Sequence, residues 1–580
     1  MDTAINFASN VGDTGGECLL VKGDLSGIQN FIYEQISNTA NPAKTLRGKS
    51  FYLAVLVGIL SRELMFRCNA FEASIIFRGG GHVLLLLPNT QHTRDALDQA
   101  VDDINTGLLD LHGARLQFVI GSAQASVGDA REHFDALLSQ VNAGVALTKR
   151  KKLHGVLDTI MSAPLPLHNA SELDQTDFAA LGEIIPRTTW YALHRRGTDA
   201  PLSGTMSIAI PGTAFAVIFT ATHSIKQFAS AMPTDSDVEV VHYIAKQEEF
   251  SPEEFPEMNW SDCTDFIGAY VPTDTDDYIL SFDEISAMNT ENYPGLGFAR
   301  MDVDSLGSVF AHGIRPALDN PSDAAVATAA VSRAMNRFFS HEILTCARTH
   351  GTYIVYAGGD DLFAVASWKN ILDFVCDVQT RFTRYSCGNP NLTISCGVFF
   401  GGSHTPIQRA AITAGEAEDQ AKNVDPFMKG RVTLLERTVT WRELQGLLHF
   451  AGQLLDALRE GGDRVVSRTF VHSVLALTQQ CFDDRGAIRP GSIARLAYKF
   501  ARRKIGRKVL DEEHRDPQQL LDSAVRIERE RMGIMFAKYM LASNTESRAG
   551  RWKTFVIPAT HVLWSTRETM YQDNRSDGYE

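Results

Sequence analysis

The 580-residue sequence lacks several features that define large classes of proteins. Its longest uninterrupted apolar run, at 51–60, is far shorter than the roughly 20 residues that cross a bilayer. The N-terminal residues contain neither the basic segment nor the apolar core of a secretory signal. The eight cysteines include no CxxC pair, which argues against a zinc ribbon or a disulfide scaffold. The simplest expectation is a cytoplasmic enzyme with reduced thiols and no membrane contact.

Positive charge is also scarce, because 55 lysines and arginines face 69 acidic residues. The resulting net charge of −14 argues against a surface that binds nucleic acid everywhere, so any RNA contact must be local. One basic cluster stands out and consists of Lys499, Arg502, Arg503, Lys504, Arg507 and Lys508. It is either a contact for RNA phosphates or the polar face of a surface helix.

The segment 352–366, TYIVYAGGDDLFAVA, has two short apolar runs around Gly358, Gly359, Asp360 and Asp361. β-Branched and aromatic residues that flank a Gly-Gly turn predict a β-hairpin. The hairpin would carry two carboxylates on a tight turn, since glycine allows positive φ. An ordinary solvated turn uses the same residue types, so this motif is ambiguous by itself.

A second acidic segment supports a site. Residues 296–304, LGFARMDVD, form an apolar run that ends in Asp302 and Asp304, before Ser305 leads into a short helix. If this strand lies beside the GGDD hairpin, Asp302 faces the turn carboxylates. Clustered carboxylates suit Mg²⁺ or Mn²⁺, and two such ions can promote phosphoryl or nucleotidyl transfer. Polymerase palms and GGDEF-type nucleotide cyclases use this metal arrangement.

The sequence contains an internal repeat. Asp24 and Gly79 are separated by 55 residues, and Asp302 and Gly358 by 56. Two further spacings nearly agree. The distance along the chain from Gly79 to Gly121 is close to that from Gly358 to Gly397, and the distance from Gly121 to Lys149 is close to that from Gly397 to Lys422. IIFRGGGHVLLL also aligns with IVYAGGDDLFAV. We therefore predict two copies of one βααββαβ unit with a ferredoxin-like palm fold.

The copies differ in their acidic residues. Gly81 and His82 stand where the second copy has Asp360 and Asp361, and Ser26 stands in place of Asp304. The first copy keeps Asp24, so it cannot form a two-metal site alone, although it could hold a nucleotide. Asp24 could equally be a turn or cap residue, and His82 is more simply a hydrogen-bonded histidine than a metal ligand.

The predicted fold class is α+β, with two ferredoxin-like palms in tandem, a mixed linker domain between them and an all-α C-terminal domain. Within the first palm, the basic segment NPAKTLRGKS at 41–50 is predicted to be a loop before a helix at 50–68. The predicted domains are a tail at 1–16, a first palm at 17–155, a linker domain at 156–294, a second palm at 295–438 and a helical domain at 439–580.

Several segments together resemble the large palm-domain subunit of type III CRISPR effector complexes of the Csm or Cmr kind. The segments are GDLSGIQNFIY at 23–33, LRGKSFYL at 46–53, FRGGGHVLLLLPN at 77–89, FARMDVDSLGSVF at 298–310, SRAMNRFF at 332–339, YAGGDDLFAV at 356–365 and AEDQAKN at 417–423. The co-occurrence of GDLSGIQ and GGDD in this order is specific, and the resemblance covers both palms and the C-terminal region.

The resemblance implies an enzyme that makes cyclic oligoadenylates from ATP when its guide RNA pairs with a target RNA. It implies that Asp302, Asp360 and Asp361 are catalytic and hold two Mg²⁺ or Mn²⁺ ions. It further implies nucleotide binding by Asp24, Ser26, Gly79, Gly80, Gly81, Asp304, Ser305, Gly358, Gly359 and Lys422. The implied partners are guide RNA, target RNA, a small helical subunit and a subunit that binds the repeat tag.

The sequence departs from many relatives in two ways. It has no His-Asp dipeptide and its palm begins near residue 17, so we expect no HD-type DNase in this chain. Cys263 is the only cysteine between 156 and 294, so we expect no zinc site. Two other functions stay open: a stand-alone GGDEF-like synthase of a cyclic dinucleotide, and a catalytically silent scaffold that binds RNA.

Overall fold

The structure is a computed structural model of an α+β protein, in agreement with the predicted fold class. It describes residues 17–34, 41–71, 74–151, 161, 175–195, 205–210, 212–232, 238–243, 270–288, 293–319, 323–425, 429–459, 467–483, 487–502, 536, 539–540 and 545–567. The predicted tail, Cys263 and four residues of the basic cluster, Arg503, Lys504, Arg507 and Lys508, lie outside these ranges. None of the described helices is long and apolar enough to cross a membrane. The predicted domain boundaries stay predictions.

The first palm contains an antiparallel sheet with the strand order β2-β3-β1-β4. Its strands are β1 (Glu17–Ser26), β2 (Ile75–Gly79), β3 (His82–Pro88) and β4 (Gln117–Ser126). Its helices are Ile28–Tyr33, Pro42–Arg67, Gln91–His112, Gly113–Arg115 (a 3₁₀ turn), Val127–Glu132 and Phe134–Arg150. Alternate residues of β1 enter different hydrophobic cores, with Leu19 and Val21 on one face and Leu20 on the other.

A second four-stranded sheet follows, with the order β6-β7-β5-β8. Its strands are β5 (Trp190–Arg195), β6 (Thr205–Ala209), β7 (Phe215–Thr220) and β8 (Val238–Tyr243), and the helices of this region are Gln175–Ile184, Ile185–Arg187 (a 3₁₀ turn), Ile225–Ala231 and Phe282–Ala287. Gly48 and Gly182 lie where the helices Pro42–Arg67 and Gln175–Ile184 meet. A Cβ at either position would overlap a backbone carbonyl of the other helix, so this region packs closely on the first palm.

The second palm repeats the first strand order as β10-β11-β9-β12 and adds β13 and β14 beyond β12. Its strands are β9 (Leu296–Val303), β10 (Tyr353–Gly358), β11 (Asp361–Ser367), β12 (Ile394–Gly401), β13 (Arg431–Leu434) and β14 (Arg437–Thr440). Its helical segments are Leu306–Ser308, Val309–Gly313 (π), Arg315–Ala317 (3₁₀), Ala324–Arg337, Phe338–Glu342 (π), Ile343–His350, Trp368–Tyr385 and Ile407–Asn423. Helices then dominate the described C-terminal residues, at Trp441–Arg459, Arg468–Gln480, Ser492–Arg502, Thr545–Thr554 and Val556–Ser565.

The repeat extends to individual glycines. A Cβ at Gly121 would overlap the carbonyl oxygen of Val141, and a Cβ at Gly397 would overlap that of Ala414. In both palms, the glycine on the last strand of the repeat therefore lets the following long helix lie directly on the backbone. The pairing of Gly121 with Gly397 by sequence spacing agrees with this shared role.

We predict that Gly397→Ala lowers stability by about 1–3 kcal/mol, because the new methyl group must push the helix Ile407–Asn423 off the sheet. The matched control is Gly446→Ala, in the exposed face of the helix Trp441–Arg459, where a Cβ meets nothing within 4 Å. That change should raise stability by about 0.5–1 kcal/mol. Thermal unfolding of both variants measures the difference, and equal melting temperatures would contradict the close packing.

The prediction of a basic loop at 41–50 was wrong. Pro42 begins a helix that runs to Arg67, and proline suits this first position because its missing N–H needs no partner there. Arg47 and Lys49 are buried at 2% exposure each. Lys49 donates to the carbonyls of Phe31 and Glu34, and the Arg47 guanidinium lies over the Phe51 ring. Lys49 thus links the helix Pro42–Arg67 to the helix Ile28–Tyr33, a contact that no local pattern reveals.

Candidate active site

The GGDD segment forms the predicted hairpin between β10 and β11. Gly358 pairs with Asp361, and Gly359 takes a φ of 70°, which favours glycine. Strand β9 runs antiparallel to β11 and places Asp302 directly opposite Asp361. The Val303 N–H donates to the Asp360 carbonyl at 3.1 Å, which fixes the turn against β9. The predicted juxtaposition of Asp302 with the turn carboxylates is therefore present.

The glycine turns of the two palms face each other. A Cβ built on Gly80 would lie 3.2 Å from the Cα of Gly359, so the two backbones approach each other closely. Both glycines have positive φ values, which are 59° and 70°. A cavity of about 850 Å³ lies beside this contact and is lined by residues of both palms.

The cavity includes most of the predicted nucleotide-binding residues. The predicted residues that line it are Asp24, Ser26, Gly79, Gly80, Gly81, Gly358, Asp360 and Asp361. The predicted residues that do not line it are Asp302, Asp304, Ser305, Gly359 and Lys422. Sequence reasoning did not assign four other lining residues to the site, namely Lys149, Arg333, Asn336 and Tyr356. Arg333 and Asn336 lie in the quoted segment SRAMNRFF, so a signal for them was present.

Behind the hairpin, charged side chains form a network. Lys422 forms ion pairs with Asp302 and with Glu418, the latter at 2.6 Å. Arg300 lies 3.1 Å from the other oxygen of Glu418 and 3.8 Å from Asp361. Glu418 is only 4% exposed, so it is the buried anion that holds both cations. Sequence reasoning missed Glu418 and Arg300, although both lie in segments that carried the resemblance.

Burial and mutual repulsion disfavour the charged form of the three site carboxylates. Burial raises the pKa of Asp302, although Lys422 opposes this effect. Burial and then the charge of Asp302 raise the pKa of Asp360. Burial raises the pKa of Asp361 to about 7, against the opposing effect of Arg300. A bound cation would relieve this repulsion, which is a property of carboxylate metal sites.

The first palm has a neutralised counterpart of this site. Strand pairing places His82 opposite Asp24, as Asp361 lies opposite Asp302. His82 Nδ1 and Lys149 Nζ each lie 2.7 Å from the Asp24 carboxylate, and Lys149 matches Lys422 in the repeat. Burial alone would raise the pKa of Asp24, but hydrogen bonds from His82 and Lys149 lower it to about 2. Asp24 is therefore already paired with basic groups.

We predict that the Asp24 charge stabilises the fold by about 2 kcal/mol, because its pKa is lower in the folded than in the unfolded chain. This stabilisation is present above the unfolded-state pKa, near 4, and is lost as the pH falls toward 2. Asp24→Asn should therefore lower the urea midpoint at pH 5, and the deficit should shrink below pH 4. The control is Asp110→Asn, at an exposed helix position. A deficit that stays constant down to pH 3 would contradict the assigned pKa.

Asp304 and Ser305 lie away from the cavity. The Asp304 carboxylate is 2% exposed and accepts hydrogen bonds from Thr393 Oγ1 and Ser395 Oγ, both at 2.7 Å, and from the Gly430 N–H at 2.9 Å. Ser305 takes a φ of 56° and accepts a hydrogen bond from Lys429. The structure thus gives Asp304 a role in tying β9 to β12 and β13, which differs from the predicted role in nucleotide binding.

The donor set fits a hard divalent cation by its chemistry, since it consists of carboxylates at one sheet edge. These carboxylates do not converge on one point in this structure. No group of three or more His, Cys, Asp or Glu residues in the described part of the chain is arranged to hold a metal ion. Asp302 is engaged by Lys422, and Asp361 accepts hydrogen bonds from Tyr356. Metal binding therefore requires Asp302 to exchange its ammonium partner for the ion.

Comparisons with known proteins agree with the sequence resemblance. Residues 17–164 match the family model for Csm1 subunit domain B, and residues 295–431 match the model for the second palm domain of Cas10/Cmr2. The resemblance to the Cas10/Csm1 family is therefore confirmed.

Curated Cas10/Csm1 relatives match over most of this chain. The proteins of Mycobacterium tuberculosis and Enterococcus italicus are 27% and 25% identical and align with 78% and 85% of the chain. Both are named single-strand-specific deoxyribonucleases of CRISPR subtype III-A. The alignments cover 61% and 63% of those proteins, so the chain spans about three fifths of their length. The expected absence of an HD-type nuclease stays a prediction.

Solved Csm1 structures share the fold. A Csm1–Csm4 cassette in complex with cA4 has a TM-score of 0.69 at 20% identity, covering 95% of this chain and 70% of that one. A cassette in complex with AMPPNP has a TM-score of 0.68 at 20% identity, covering 98% and 72%. The shared fold extends across both palms and into the helical C-terminal region.

Proposed function

We propose that this chain synthesises cyclic oligoadenylates from ATP within a type III CRISPR ribonucleoprotein, when guide RNA pairs with target RNA. One observation carries the proposal: two palms of the same design face each other through Gly80 and Gly359 beside one cavity, which Asp360 and Asp361 of the second palm line. Such a site joins two nucleotides asymmetrically, as the formation of a 2′–5′ or 3′–5′ linkage requires.

The second palm would perform the chemistry. Asp302, Asp360 and Asp361 would hold Mg²⁺ or Mn²⁺. When bound, these ions would stabilise charge on the attacking and leaving oxygens of nucleotidyl transfer. Lys422 forms an ion pair with Asp302, one of the proposed metal ligands. Once released from Asp302, its ammonium would be free to meet the triphosphate of ATP.

The first palm would hold the second nucleotide without a metal of its own. Asp24 is neutralised by Lys149 and His82, so it offers no free carboxylate for an ion. The turn Gly79–Gly80–Gly81 lets a ligand approach the backbone closely, and Ser26 lies at the same wall. From the second palm, Arg333 and Asn336 contribute polar groups to the cavity.

The proposed partners follow from the family. Guide RNA, target RNA, a small helical subunit and a subunit that binds the repeat tag would complete the complex. The solved Csm1 relatives are complexes with Csm4. The helix Ser492–Arg502 contains Lys499 and Arg502 of the predicted cluster and is one candidate for RNA contact.

The test is ATP turnover by the assembled complex, followed by mass spectrometry with and without matching target RNA. Cyclic oligoadenylates that form only with target are the expected result. A cyclic dinucleotide made from GTP by the chain alone would instead favour a GGDEF-like synthase. Normal assembly with no nucleotide turnover on any target would favour an RNA-binding scaffold. A target without complementarity to the guide is the matched control.

A further inference from the structure

Asp361 is supported from behind by a tyrosine of its own hairpin. The Tyr356 hydroxyl donates to the two carboxylate oxygens of Asp361 at 3.1 and 3.3 Å. Arg300 lies further away, at 3.8 Å, and is already paired with Glu418. Tyr356 is thus the closer neutral donor, and it restricts the carboxylate without competing for its charge.

A break in the strand ladder places Tyr356 on this face. The pairing of β10 with β11 shifts between Ile354 and Tyr356, so one residue is left over, as in a β-bulge. Val355 and Tyr356 therefore both pack against the core that the first palm shares. With regular alternation, Tyr356 would point into the other core, with Ile354. The bulge brings its hydroxyl to Asp361.

The first palm contributes the next contact. Tyr33 ends the helix Ile28–Tyr33, and its ring packs edge-on against Phe363 at 5.6 Å. Tyr356 packs on the same ring at 6.1 Å. Tyr33 is 5% exposed, so it has little freedom to move. Tyr356 is therefore packed between its own strand and the first palm.

The helix that carries Tyr33 also forms a wall of the cavity. Ile28, Gln29 and Asn30 at its start line the cavity, whereas its end is held by Lys49, which donates to the carbonyls of Phe31 and Glu34. One short, rigid helix thus contacts the proposed nucleotide pocket of the first palm and the support of a proposed metal ligand in the second.

We propose that Tyr356 is a positioning residue that orients Asp361 for the divalent ion, and that Tyr33 of the first palm holds Tyr356 in place. This inference rests on the proposed function, since it assigns Asp361 to metal binding. It makes the geometry of the catalytic palm dependent on a residue of the palm that carries no metal.

The test measures Mn²⁺ binding to the full chain by electron paramagnetic resonance, which needs no turnover. Tyr356→Phe should weaken Mn²⁺ binding about tenfold, as loss of a hydrogen bond behind a metal ligand does. Tyr33→Leu, which removes the ring that packs on Phe363, should weaken it less, and the double variant should bind no more weakly than Tyr356→Phe alone, because Tyr33 acts through Tyr356. Asp361→Asn removes the proposed metal ligand and gives the reference Mn²⁺ affinity without it.

Tyr353→Phe is the matched control, because this buried tyrosine lies on the same strand and donates to the Ala43 carbonyl instead. Its Mn²⁺ affinity should equal that of the wild type, and circular dichroism checks that all variants fold. Three results would each overturn the proposal. The first is an unchanged Mn²⁺ affinity in Tyr356→Phe, and the second is additive losses of affinity in the double variant. The third is an Asp361→Asn variant that binds Mn²⁺ as tightly as the wild type. A different result would separate the two proposals. If Mn²⁺ binding depends on Asp361 and is weakened by Tyr356→Phe, but no cyclic products form, the role of Tyr356 is upheld and the proposed function is refuted.

Discussion

Replacing Asp360 and Asp361 together by asparagine is expected to reduce cyclic oligoadenylate synthesis at least about 1,000-fold. The reason is that the charge stabilisation by metal ions is worth several kcal/mol, and each 1.4 kcal/mol is a factor of about ten in rate. The measurement is the initial rate of product formation by the assembled complex with target RNA and saturating ATP.

The same double variant should not lose stability. Burial raises the pKa of both carboxyl groups, so their charged forms are unfavourable in the folded chain. Removing these charges should leave the melting temperature unchanged or raise it at pH 8. Activity lost without stability lost is the signature of a site that serves chemistry.

The control for this experiment is Asp276→Asn with Asp277→Asn. These neighbouring aspartates lie in an exposed turn far along the chain from the GGDD hairpin, and Asp277 has a positive φ that asparagine tolerates. The control should retain full activity. If the GGDD variant retained activity as well, the metal assignment of Asp360 and Asp361 would have to be abandoned.

Glu418→Gln is expected to lower the rate by about 10–100-fold. Glu418 neutralises Lys422 and Arg300, which contact Asp302 and Asp361. Without its charge, both cations would compete with the metal ion for these carboxylates, a loss typical of residues behind metal ligands.

The measurements for Glu418→Gln are the target-dependent rate as a function of Mg²⁺ concentration and the thermal melting temperature. More Mg²⁺ should partly restore the rate, because the cations and the metal ion compete for the same oxygens. Glu416→Gln, two residues earlier on the exposed side of the same helix, is the control. Equal rates for the two variants at low Mg²⁺ would show that Glu418 does not govern the site.

Local patterns in the sequence were sufficient to predict the GGDD hairpin, the opposition of Asp302 and Asp361, and the glycine register of the two palms. They succeeded because strand alternation and turn chemistry are local, and because two copies of one unit check each other. The hydrogen-bond partners of Asp304 could not be predicted in this way. Its three hydrogen-bond donors come from 393, 395 and 430, and only the folded sheet brings them together.

The same dependence on contacts distant in sequence explains why the helix at 41–50 and the role of Glu418 were not predicted. Lysine and arginine at short spacing favour a solvated loop by composition, but Arg47 and Lys49 are buried by segments distant in sequence. Glu418 lies in a helix with other acidic residues, and nothing local distinguishes it from the exposed Glu416. Which of the two faces Arg300 depends on the close contact between Gly397 and the helix.

The contact between Gly80 and Gly359 has a consequence for how the proposed reaction responds to dilution. A synthase assembled from two identical chains loses its site when the protein is dilute, because its halves must first collide. Here both turns belong to one polypeptide, so the local concentration of one half around the other is fixed by the chain. The site between the two palms would therefore stay formed at low protein concentration.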